Sequence, residues 1–488
     1  MSHKVFESGI LKENKILRSF LIVVLILALL VLSACLRIVP VSRAEPAPTD
    51  FTVGQDVPPH WVASAVSLSA GQKLLLDDKY SLFFSNIPEM PTEPGILLDV
   101  NNVLSPSGLV RVLFSHLNLL IDWTQDHPQN IPATAGFAVE NHTARELEVY
   151  ALKSAIGVSR APDGTKLFLE DAAPVRPGES EPLYYGSAVG NYTVCQWFLS
   201  EEKPPVHLGR VAPGSRIIVS ETVGPRGWIT GIYDLKFIDA ATGVQIGKEN
   251  LAEGESVGIK SFIAPAECDP GSFLDEYSGY CLLPPAGNDR LHMRGLFVAG
   301  SYEDNPGGEA VSKSFTVSYN VREGQSAGFT LAAGENDQCS DPKAPGYVPD
   351  VFLNDRMRNG FDPANPGKQG LNGGNYGIDY TVALQLTGPV ALAVQGATHS
   401  DSRGNPEFVD MYNQILTFWL DGRVRTIQIK DPNYERYYMD TVAMRPPGYG
   451  KVIGVFPETG RHDHLLRFTL PPNGYGPVRF YLLPLKEK

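Results

Sequence analysis

From Trp61 onward the chain never sustains one apolar pattern for long. Short runs rich in β-branched and aromatic residues, such as Tyr80–Phe84, Gly95–Val100, Leu109–Leu113 and Trp228–Phe237, stop within a few residues at glycine, proline, asparagine or aspartate. Runs of that length with period-two alternation form strands, and turns that frequent fold strands into sandwiches or barrels. The 47 glycines and 39 prolines are spread through the body without a period, which excludes a collagen-like repeat.

One stretch breaks the style. In Ser187–Leu199, Val189, Tyr192, Val194 or Cys195, Trp197 and Phe198 recur near helical spacing, so a short helix packed on a sheet is expected at 187–199. Composition shifts again over 265–290, where Pro265, Pro270, Pro284 and Pro285 surround a cysteine-bracketed loop. The resulting expectation is a mainly β protein. A β-sandwich-like domain over 60–264 carries the helix, 265–290 is a junction, and a second β-sandwich-like domain covers 291–488.

The first 35 residues read as an export segment. Lys4, Lys12, Lys15 and Arg18 precede an unbroken apolar run, Leu21–Val31, and Leu32-Ser33-Ala34-Cys35 follows at once. That ending resembles a lipobox, in which Cys35 becomes the acylated first residue of a lipoprotein. The membrane is then the first partner. Two alternatives stand beside it: cleavage after Ser42-Arg43-Ala44, giving a secreted protein, or retention of the segment as an anchor. Residues 36–59, with Pro40, Pro46, Pro48, Pro58 and Pro59, are expected to be an extended tether.

The chain carries −13 overall; residues 1–35 hold four basic and two acidic side chains, so the remainder carries −15. Such a balance argues against nucleic acid as a partner. Four cysteines remain after Cys35. Cys268 and Cys281 bracket a turn-rich loop and are expected to form a disulfide in an oxidising compartment. Cys195 with Cys339 is a possible second pair, with a buried free thiol at Cys195 as the alternative.

Several short motifs resemble a family. They are Phe84-Ser85-Asn86-Ile87-Pro88-Glu89, Gly95-Ile96-Leu97-Leu98-Asp99, Arg111-Val112-Leu113-Phe114-Ser115-His116-Leu117-Asn118, Gly231-Ile232-Tyr233-Asp234, Arg294-Gly295-Leu296-Phe297 and Gly374-Asn375-Tyr376-Gly377. Scattered over roughly 80–400, they look like exported Gram-positive proteins of unknown activity. Members often carry a copper amine oxidase-like stalk domain, which is not found here. The resemblance implies an extracytoplasmic β-protein and carries no functional residues with it.

Candidate chemistry is sparse. There is no Gly-x-Ser-x-Gly elbow and no phosphate-binding glycine loop. His116 and Asn118 lie two apart on a strand and face one way, as a binding pair or as a structural histidine with its neighbour. Tyr434, Tyr437 and Tyr438, with Trp419, are candidates for a sugar-binding platform, Trp419 being the better core residue. Asp355, Asn359 and Asp362, and again Asp401 and Asn405, have calcium-like side chains without a calcium-loop spacing. His462-Asp463-His464 follows Gly460-Arg461 and reads as a solvated turn, with no third metal ligand evident. No metal or cofactor is expected. The expected function is a membrane-tethered envelope protein that binds or scaffolds without catalysis, with a cell-wall or extracellular glycan as possible ligand. The alternative is a polysaccharide-active enzyme with a carboxylate pair on a β-sandwich.

Overall fold

The computed structural model describes residues 51–57, 61–62, 64–68, 73–77, 79–87, 90–124, 126–159, 185–277, 294–298, 310–332, 351, 357–364, 370–395, 413–430, 450–472, 474, 476 and 478–486. The protein is mainly β, as expected. The N-terminal strands are β1 (Asp56–Val57), β2 (Val66–Ser67) and β3 (Lys73–Asp77). Next come β4 (Tyr80–Ser85), β5 (Gly95–Val100), β6 (Leu109–Leu117), β7 (Ile121–Asp122), β8 (Gln129–Asn130), β9 (Ala133–Asn141) and β10 (Leu147–Val158). Helix α1 (Tyr185–Ser200) is followed by β11 (Val206–Val211), β12 (Arg216–Val223), β13 (Trp228–Asp239), β14 (Val257–Pro265) and a short helix α2 (Pro270–Glu276). Then β15 (Arg294–Phe297), β16 (Ser312–Asn320), β17 (Ala327–Leu331), β18 (Met357–Gly360), β19 (Gly370–Asn372), β20 (Asp379–Thr387) and β21 (Val390–Gln395). The last five are β22 (Asn413–Leu420), β23 (Arg423–Lys430), β24 (Gly450–Phe456), β25 (Arg461–Phe468) and β26 (Val478–Pro484).

Four sheets carry the fold. Sheet I runs β11-β10-β13-β6-β4-β15 and sheet II runs β12-β9-β14-β5. Sheet III runs β23-β22-β25-β20-β16-β3 and sheet IV runs β1-β24-β21-β26-β17-β2. Alternation along the strands decides what each face buries. On β6, Val110, Val112 and Phe114 join Phe137, Val139 and Ile259 of sheet II in one core. Leu113 turns to the opposite face, into a second core with Trp197 and Phe198 of α1 and the inner faces of sheets III and IV.

The chain does not respect the expected division at 265–290. The strands β1, β2 and β3 precede the first sandwich in sequence but complete sheets IV and III. Conversely, β15 lies beyond the junction and pairs with β4 at the edge of sheet I. The expected tether also ends early: Phe51 and Val57 are buried, and Asp56 and Val57 pair with β24. Residues 50–488 therefore make one compact unit.

The helix expected at 187–199 is present as Tyr185–Ser200. It is apolar nearly all round, because it lies between sheet I and sheet III and touches β10, β13, β22 and β23. Glycine makes the approach possible: a Cβ on Gly157 of β10 would stand 2.4 Å from the Thr193 Oγ1 of the helix. Asn191 ties the helix to β22 from both its side chain and its backbone. The Asn191 side-chain amide donates to the Ile415 carbonyl at 2.9 Å, and the Thr417 hydroxyl donates to the Asn191 carbonyl at 3.0 Å. Among the described residues, no helix is long and apolar enough to cross a membrane.

Candidate functional site

A largely buried concentration of charge, with Glu201 exposed at its edge, lies where sheet I meets α1 and sheet III. The β6–β13 pairing sets Arg111 opposite Asp234. Arg111 donates Nε to Asp234 Oδ1 at 2.6 Å and Nη2 to Oδ2 at 2.9 Å, and it spends Nη1 on the Gly377 carbonyl at 2.7 Å. From β10, the Lys153 Nζ stands 3.9 Å from Asp234, 3.8 Å from Asp379 and 3.7 Å from Glu201. Arg467 of β25 donates to Asp379 and to Glu201, both at 2.6 Å. The indole of Trp197 lies under both cations, 4.6 Å from the Arg111 guanidinium carbon and 3.4 Å from Lys153 Nζ.

Three cations therefore face three carboxylates, and the electrostatics follow. Burial works against the Arg111 charge, but Asp234 outweighs it and holds the guanidinium above its ordinary value. Burial pushes Asp379 up; Lys153 and Arg467 pull it further down, leaving it below the ordinary carboxylate range. For Lys153 burial prevails, and the ammonium sits below the ordinary lysine value. Each ion is matched, so the chemistry of this cluster is that of a joint. Three of the short motifs in the sequence meet here, through Arg111, Asp234 and Gly377.

A second buried pair closes sheet I. Arg294 of β15 donates Nε to Asp362 Oδ2 at 2.7 Å and Nη1 to the Leu97 carbonyl at 2.8 Å, both side chains being buried. This removes Asp362 from the calcium reading, because its charge is already answered by a guanidinium. Asp355, Asp401 and Asn405 lie outside the described residues.

His116 and Asn118 are both fully buried and face no open cleft. His116 Nε2 is 3.2 Å from Ser85 Oγ, and Ser261 Oγ donates to the same Ser85 hydroxyl at 2.8 Å. This chain of three polar side chains ties sheet I to sheet II through an apolar core. Asn118 stands just past the end of β6; its amide nitrogen donates to the Ile131 and Gly224 carbonyls at 2.8 and 3.1 Å, and its oxygen accepts from Leu120 N at 3.0 Å. Neither is brought to a surface where a glycan lands. His116→Ala is expected to cost about 2–3 kcal/mol in urea unfolding, from the cavity and the lost bond to Ser85, and to leave any ligand binding intact. Wild-type stability together with lost binding would refute this.

Tyr434, Tyr437 and Tyr438 lie outside the described residues. Trp419 is half-buried, packs against the second core and lies 5.9 Å from the Arg467 guanidinium carbon. Cys195 is buried and Cys268 half-buried, both as free thiols. Burial raises the Cys195 thiol. Their expected partners, Cys339 and Cys281, lie outside the described residues.

The histidine pair differs most from expectation. His462 and His464 stand on β25, not in a turn, because that strand begins at Arg461. Two positions apart, they face one way, with His462 Nδ1 2.8 Å from His464 Nε2. Glu458, in the preceding turn, brings its carboxylate within 4.8 Å of both ring ligands. Sequence spacing signalled the pair and missed the third group, which a strand-to-strand turn supplies. Comparison with known protein families and with curated proteins gives no match for this chain.

Proposed function

We propose that this is an exported cell-envelope protein, held to a membrane through an acylated Cys35, whose body binds or scaffolds without turning anything over. The observation that carries the reading is where the charged and histidine side chains of the joint and the cores are spent. Arg111, Asp234, Lys153, Asp379, Arg467 and Glu201 answer one another, Arg294 answers Asp362, and His116 is bonded to Ser85. Groups paired in this way hold layers together and are not poised for proton transfer. The N-terminal basic and apolar segment ending at Leu32-Ser33-Ala34-Cys35 supports the tether, and the resemblance to exported Gram-positive proteins supports the compartment. A cell-wall or extracellular glycan is the proposed ligand, with Tyr434, Tyr437 and Tyr438 as its proposed platform.

Metabolic labelling with a lipid precursor tests the anchor. The wild-type chain is expected to take up label and Cys35→Ser to take up none; equal labelling of both refutes acylation at Cys35. Incubating the purified chain with peptidoglycan and plant polysaccharides tests the rest, since release of soluble sugar would overturn a purely binding role.

A further inference from the structure

We propose that Glu458, His462 and His464 form a binding site for a divalent first-row transition-metal ion, independent of the buried joint. The site begins with the pattern of β25. Along its inward face the residues are His462, His464, Leu466 and Phe468, the last two in the core. Register on the neighbouring β20 sets His462 beside Leu386 and His464 beside Leu384. Two histidines thus continue an apolar stripe to the end of the sandwich, where both are half-buried. Phe456, at the end of β24, stacks on the His464 ring with centroids 3.8 Å apart. The wall behind the imidazoles is apolar, and their nitrogens point to one place.

The outer hydrogen bonds fix what those nitrogens present. His462 Nε2 lies 3.0 Å from the Gly388 carbonyl, which only accepts, so Nε2 carries the hydrogen and Nδ1 presents its lone pair. His464 Nδ1 lies 2.7 Å from Asp421 Oδ2, so Nδ1 carries the hydrogen and Nε2 presents its lone pair. Asp421 is itself pinned, since its Oδ1 accepts from Leu465 N at 2.8 Å. The two nitrogens facing each other at 2.8 Å are then both acceptors. Two facing lone pairs repel, and a cation between them satisfies both. Orientation by a backbone carbonyl and by a carboxylate is how proteins hold metal-ligating imidazoles.

Two imidazoles and a carboxylate suit zinc, copper or nickel and leave one coordination position open on the exposed side of Glu458. Zinc–nitrogen bonds of ~2.0–2.1 Å at a tetrahedral angle separate two nitrogens by ~3.3 Å, so loading asks the rings to part by about half an ångström. Three connections at one end of the sandwich make the site. The β24–β25 turn brings Glu458, the β20–β21 turn brings the Gly388 carbonyl, and the β22–β23 turn brings Asp421.

Titration of the purified, EDTA-stripped full chain with Zn²⁺, read by isothermal calorimetry and by melting temperature, tests the proposal. Wild type is expected to bind one equivalent that His462→Gln, His464→Gln and Glu458→Gln lose or weaken, with melting raised by Zn²⁺ in wild type only. Asp421→Asn, which touches no metal, is expected to weaken that equivalent about 10–100-fold. Circular dichroism of the stripped proteins checks that each variant folds. A folded His462→Gln, His464→Gln double variant that binds Zn²⁺ with wild-type stoichiometry and affinity overturns the site. So does a wild-type chain that takes up no Zn²⁺, Cu²⁺ or Ni²⁺, which would leave a pair sharing a proton.

Discussion

Arg111→Met is expected to destabilise the protein by about 3–5 kcal/mol, because it strands the Asp234 carboxylate in the interior and frees the Gly377 carbonyl. Lys153 stands 3.9 Å from that carboxylate and makes no close hydrogen bond to replace the lost fork. The neighbouring cation gives the contrast. Lys153→Met leaves Asp234 with Arg111 and Asp379 with Arg467, and burial already works against the lysine charge. It is expected to cost about 1 kcal/mol or less, or to stabilise. Restoring neutrality with Asp234→Leu in the Arg111→Met background should recover much of the loss. Urea unfolding of the four proteins decides the matter; an Arg111→Met change no larger than that of Lys153→Met would show that the fork does not dominate the joint.

Trp197→Ala is the second large effect, at about 3–5 kcal/mol. The indole is fully buried, packs against Phe198 with centroids 5.1 Å apart, and carries both Arg111 and Lys153 on its faces. Removing it opens a cavity between two layers and deprives two buried cations of their aromatic partner at once. Trp197→Phe keeps most of the volume and should cost clearly less. Equal losses for alanine and phenylalanine would show that the effect belongs to the helix and not to the ring.

Strands bounded by clear turns were legible residue by residue. The apolar run Gly95–Val100 has the ends of the strand it forms, and helical spacing over 187–199 marks α1 to within two residues at its start and one at its end. Local pattern sufficed there because alternation or helical spacing is a property of the segment alone. It failed where the partner is remote. Asp56–Val57 is two residues long and exists only because β24 is beside it, so nothing local separates it from a proline-rich tether. Strand β14 hides its alternation: Val257, Ile259 and Ile263 face the first core, but Ser261 interrupts them to bond Ser85. The composition shift at 265–290 is real, yet β15 beyond it pairs with β4 before it, so it marks no division between sandwiches. For the charged joint, Arg111, Asp234 and Gly377 each belonged to a short motif; that they touch is a matter of register and layer order, which no spacing along the chain encodes. His462 and His464 were visible as a pair, but the glycine before them suggested a turn.

The placement of β1, β2 and β3 sets the order in which the protein is finished. Made first, these strands wait for partners made late: Asp56 pairs with Lys451, about 395 residues further on, and Val66 with Ala327. Sheets III and IV are thus closed at their edges by the earliest part of the chain and filled by the last. Until Gly450–Phe456 emerges, β1 has no partner in sheet IV, whereas sheets I and II need little beyond Phe297. Sequence separations this long slow folding and leave edges open in the meantime. The pairing order is expected to make assembly run outward from the middle of the sequence, with β1 the last strand to lock.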